Sequence, residues 1–96
     1  MSPERTQAYR RVMRTLSELG PSKLQTEEQD RIRHAADNLI FASDLRVDDA
    51  ANQALADTEA LCATLVSSGR WEPVTAERLE RDLRACGPSE DVAAAA

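Results

Sequence analysis

The chain holds one imidazole, His34, and two thiols, Cys62 and Cys86. An imidazole can serve as acid, base or metal ligand, and a thiolate as nucleophile, when other groups hold it against a substrate. In a helix, Asp30 precedes His34 by four residues and Asp37 follows it by three, so both flank the ring and either stabilises its charged form. That pattern reads as a surface ion-pair network. A metal site needs three or four ligands, and one histidine with carboxylates on a single helix falls short. No Cys-x-x-Cys pair and no Glu-x-x-His pattern of the di-iron kind occurs. No metal and no cofactor is expected.

Cys62 falls on an apolar stripe and reads as a small buried hydrophobe. Cys86 lies near a helix C-terminus, where the dipole disfavours a thiolate. Both are expected as free thiols, with a Cys62–Cys86 disulfide as the alternative. The three glycines are single helix stops, so no phosphate-binding loop is present.

Arginine is the other chemical resource. Eleven of the twelve basic residues are Arg, and with sixteen Ala this resembles GC-rich bacterial coding DNA more than a binding signal. Arg10, Arg11 and Arg14 form one patch; Arg78, Arg81 and Arg84 form a second, interleaved with Glu77, Glu80 and Asp82. The net charge of −5 opposes contact with a phosphate backbone, so nucleic acid is not the expected partner. A helix-turn-helix over residues 61–86 would set acidic side chains against phosphate. Residues 1–19 carry four Arg against Glu4 and Glu18, while residues 47–69 carry Asp48, Asp49, Asp57 and Glu59 and no base. These two segments can attract each other, within one chain or between two.

Helices must position these groups. Ala, Leu, Glu, Arg and Gln dominate, strand formers are scarce, and the expected class is all-α, a small four-helix bundle-like domain. The domain is expected over 1–87, with 88–96 as a flexible tail. Helix 1 (3–19) opens with Ser2 and Pro3, repeats Tyr9, Val12, Met13, Leu16 and Leu19, and stops at Gly20–Pro21. Helix 2 (27–44) begins at a capping box of Thr26 and Gln29. Helix 3 (48–68) follows a break near Asp44–Asp48. The break is inferred because the apolar stripe advances by roughly 80–90° across that stretch, and either aspartate can cap. Helix 4 (76–86) takes Thr75 as cap and has a narrow stripe of Ala76, Leu79, Leu83 and Cys86. Glu77–Arg81 and Glu80–Arg84 are spaced as favourable pairs along it.

Two features bear on function. Helix 2 has a second face, with Phe41 about 180° from Ile32 and with His34, Asn38 and Leu45 on the same side. Trp71, in "SSGRWEPV", stands at a turn. It reads either as a plug that closes the bundle with help from Val74, or as an exposed anchor for a partner. No run of 18 apolar residues and no secretory leader occurs, so no membrane contact and a cytoplasmic location are expected.

The leading functional expectation is a non-catalytic helical protein-interaction module, a homodimer or a small regulatory partner. Phe41, Leu45 and Asn38 form its interface, and Arg10 and Arg14 meet the acidic third helix. The alternatives are a small DNA-binding regulator using the Arg patches and a small all-α enzyme with an active site across a dimer. Arg5, Gln7, Gln25, Gln29 and Gln53 are the polar residues such an enzyme would turn inward.

Overall fold

The computed structural model describes residues 2–88; the tail expected at 88–96 lies, from residue 89 on, outside them. Four helices follow in order: α1 (Pro3–Lys23), α2 (Thr26–Phe41), α3 (Asp49–Ser67) and α4 (Pro73–Cys86). No strand occurs among the described residues, and the all-α bundle-like class holds. α1 lies chiefly along α4 and α2 along α3, while α1 and α3 make no close approach.

The ends of the helices show local chemistry at work. Ser2 caps α1 by accepting from the Arg5 N–H, with Pro3 in the first turn. Gly20 interrupts α1 with φ of 71°, a left-handed conformation suited to glycine, and the chain then makes one further turn. The capping box of α2 sits one residue earlier than the Thr26–Gln29 reading. The Gln25 N–H donates to Glu28 Oε1 at 2.9 Å, because Glu28, not Gln29, occupies the third helical position. α2 also stops at Phe41 rather than 44. The break before α3 is present, with Asp48 capping through the Ala51 N–H at 3.0 Å. Asp44 instead accepts from the Arg46 backbone N–H and side chain. α4 begins at Pro73 rather than 76. Its fixed φ suits the first helical position, so Glu72, not Thr75, is the cap residue.

The apolar stripes meet in one core: Ala8, Val12 and Leu16 from α1; Ile32, Ala35, Ala36 and Leu39 from α2; Ala51, Leu61, Cys62 and Leu65 from α3; Ala76, Leu79, Leu83 and Cys86 from α4. Many of these are alanines, so the helices approach closely but bury little area per residue. Every buried side-chain nitrogen and oxygen among the described residues has a hydrogen-bond partner. Thr58, for example, donates back to the Ala54 carbonyl.

Arg5 clamps one end of the bundle. Its Nε donates to the Cys86 carbonyl at 2.8 Å. The hydrogens of Nη2 are shared among the carbonyls of Leu39, Ile40 and Ala42 at 2.8, 3.0 and 2.7 Å. One guanidinium thus serves the C-terminal ends of both α2 and α4, where unpaired carbonyls carry the negative end of each helix dipole. Trp71 clasps the other end. It is 4% exposed, belongs to the core and donates from Nε1 to the Lys23 carbonyl at 2.8 Å. Beside it, Arg70 pairs with Glu28 at 2.8 Å and also reaches the Lys23 carbonyl. That guanidinium holds the Glu28 carboxyl below its usual range. The tryptophan is a plug and is not available as a surface anchor. Val74 takes no part in it, being 62% exposed.

Truncating Arg5 to Ala leaves four carbonyls without their cation and should cost about 2–4 kcal/mol in denaturant unfolding. Arg5→Lys, a point charge without the planar fork, should recover only part of that. Trp71→Phe keeps a ring but loses the bond to Lys23. It should destabilise by about 1–3 kcal/mol, and native Trp71 emission should resist acrylamide quenching.

Candidate functional site

The groups with chemical potential are mostly committed to structure. His34 is exposed on the outer side of α2, and its Nε2 lies 3.1 Å from the Asn38 amide nitrogen. Its hydrogen-bond neighbour is therefore Asn38, one turn on, and not Asp30 or Asp37. Asp37 instead accepts from the Tyr9 hydroxyl of α1 at 2.7 Å. That bond, aided by partial burial, raises the Tyr9 phenol above its ordinary value. Cys62 and Cys86 are free and buried. Burial pushes both thiols up to about 12, with the Glu80 and Glu59 carboxylates adding to the effect at Cys62. Glu80 itself is raised, first by burial and then by Glu59. Among the described residues no three His, Cys, Asp or Glu side chains converge to hold a metal.

Arg5 does turn inward, as an enzyme of this kind would want, but its Nε and Nη2 donors are spent on backbone carbonyls. Gln7, Gln25 and Gln53 are exposed on α1, at the start of α2 and on α3.

The charge pairs link neighbouring helices. The acidic residues of α3 are met by α2 and α4: Arg31 pairs with Asp57 at 2.7 Å and Arg84 with Glu59 at 2.7 Å. Asp57 is held below its usual range by Arg31. Arg11 of α1 goes to Asp82 of α4 at 2.9 Å. Within one chain, then, the basic helix does not meet the acidic one, because the two lie on a diagonal. The expected Glu80–Arg84 pair gives way to Arg84–Glu59, since Glu80 turns toward Cys62. No Glu77–Arg81 pair forms within 4 Å either.

The six residues expected at an interface separate into distinct places. Phe41 is 79% exposed at the last turn of α2. Asn38 is half-buried one turn before it, its amide donating to the His34 carbonyl at 2.8 Å. Phe41 and Asn38 line an open depression of about 340 Å³ together with His34, Asp37 and Asp48. Leu45 does not join them. It is half-buried against the core, near Gly87 at the end of α4. Arg10 and Arg14 are exposed on the outer side of α1, and no carboxylate among the described residues lies within salt-bridge distance of either. Trp71 is inside.

Val47, in the link after α2, is 79% exposed beside Asp48. Arg5 figures in the sequence reading only among the polar residues an enzyme would turn inward, and its place at the helix ends escaped that reading. Arg5 was legible in principle: a cation in the first turn opposes its own helix dipole, while α2 has no basic residue in its last turn. A misplaced charge in one helix and a missing charge in another are complementary signals.

The geometry defines a small helical bundle with an apolar, acid-rimmed corner on α2. No family model, no curated protein and no solved structure matches the chain.

The thiol values give a pH and reactivity signature. Folded-state values of about 12 lie above the ordinary 9.0. As pH rises, the unfolded chain therefore gives up these protons first. The thiols' contribution to stability is complete below pH 9 and is lost between there and about 12. At pH 8 the folded protein should resist an aromatic disulfide reagent, and both thiols should react on unfolding in guanidinium. Rapid native labelling would contradict the burial.

Proposed function

We propose that this chain is a non-catalytic helical interaction module that docks onto another protein chain through the outer face of α2, with Phe41 as its anchor. One observation carries the reading. Of the three aromatic side chains, Trp71 is buried and Tyr9 half-buried, while Phe41 stands 79% exposed next to an open depression. Single exposed aliphatic residues are ordinary on protein surfaces, but an aromatic beside a concavity is the pattern of a binding anchor. The chemistry-bearing groups support the same reading from the other side. The thiols are buried, Arg5 is bound to backbone, and His34 faces Asn38.

Self-association is the form the test addresses. Light scattering over a concentration series should show the mass of the wild-type chain rising above that of a monomer. Phe41→Asp should return it to monomer with an unchanged circular dichroism spectrum, because Phe41 lies outside the core. A chain that stays monomeric throughout, with or without the substitution, would overturn the self-associating form of the reading.

A further inference from the structure

The α1–α2 hairpin presents two outward ridges of opposite sign. On α1, Arg10 and Arg14 stand one turn apart, opposite the buried Ala8 and Val12. On α2, Asp30, Asp37 and Phe41 recur at helical spacing, away from the buried Ile32, Ala36 and Leu39. All five are exposed. The contacts within the chain fix the relative level of the ridges. Arg5 meets the Leu39–Ala42 end of α2, and Tyr9 meets Asp37. The two helices therefore run antiparallel, with Arg10 level with Asp37 and Arg14 a little over one turn further along, between His34 and Asp30.

This pattern is self-complementary. A two-fold axis parallel to the helices, placed between two facing hairpins, lays α1 of one copy over α2 of the other and preserves every level. We infer that the occupant of the α2 face is a second copy of this chain, related by such an axis. In that arrangement Arg10 and Arg14 of each copy face Asp37 and Asp30 of its partner. The contact occurs twice and closes at two copies, as an isologous interface must. Phe41, at the end of the acidic ridge, is covered by the opposing α1. The charges set partner and register, while the aromatic supplies the apolar anchor. This inference rests on the reading of α2 as a docking face.

Charge exchange tests it. The first variant carries Arg10→Glu with Arg14→Glu, and the second Asp30→Arg with Asp37→Arg. Each alone should raise the dissociation constant of the dimer at least about ten-fold, and an equimolar mixture should associate within about three-fold of the wild type, since one of the two contacts is then the native Arg–Asp pairing and the other carries the same pairing with signs reversed. Arg78→Glu with Arg81→Glu, on the outer side of α4, makes the same change in net charge as the first variant and should leave the dimer intact. Because Asp37 also accepts from Tyr9, thermal melts of each variant accompany the measurement, and recovery in the mixture itself shows that both are folded. A dimer that Phe41→Asp dissolves but charge reversal leaves unchanged would overturn this register and leave the α2 reading standing. A wild-type chain that never associates would overturn the two-fold dimer together with the self-associating form of the α2 reading. Growth beyond two copies would exclude the two-fold.

Discussion

The fold depends on one guanidinium. Arg5 opens α1, where a cation faces the positive end of its own helix dipole, and it is kept there by the negative ends of two other helices. The carbonyls it satisfies belong to residues 39, 40, 42 and 86, so a side chain from the start of the sequence joins its middle to its end. Two of those carbonyls, on Ile40 and Ala42, flank Phe41 directly. The clamp that holds the bundle end therefore also fixes the backbone beneath the exposed aromatic ring.

The opposite end is closed by different chemistry. Trp71 supplies apolar area and one hydrogen bond, and Arg70 adds an ion pair to both oxygens of Glu28, of which Oε1 also completes the capping box of α2. Both clasps use the loose ends of helices, where backbone groups lack partners. That placement suits a core rich in alanine. α4 buries only a narrow stripe, and stripe packing alone is weak for so short a helix. Fixing it at Cys86 through Arg5, and just ahead of its start through Trp71, supplies what the stripe lacks.

The helices and their buried stripes were legible in the sequence because 3.6-residue periodicity is a repeated signal carried by many side chains. The phase shift after Ile40 located the break before α3 for the same reason. Single-residue signals were less faithful. The capping box could be read from Thr26 or Gln25, and only the position of Glu28 in three dimensions separates them. Proline 73 marked a boundary but not its side, since proline both precedes and opens helices. Arg84 had a partner four residues back and another across the bundle, and the cross-helix contact prevailed. At the candidate site, Phe41 and Asn38 were legible from the wheel. Leu45 was not, because α2 ends before reaching it and the link turns it back toward Gly87.

The same ending explains why the α2 corner differs from the other exposed apolar points. Val74 stands exposed in the first turn of α4. Phe41 stands where a helix stops, the chain turns, and the cap of the next helix, Asp48, comes round to face it across the depression. Its backbone is pinned by Arg5 on one side, and the neighbouring Asn38 amide is pinned to the His34 carbonyl on the other. A side chain held on a rigid support loses little freedom when it is covered, so more of its apolar burial survives as binding free energy. On the proposed docking face, rigidity beneath the uncovered ring is what would distinguish Phe41 from a hydrophobic residue that merely found no room inside.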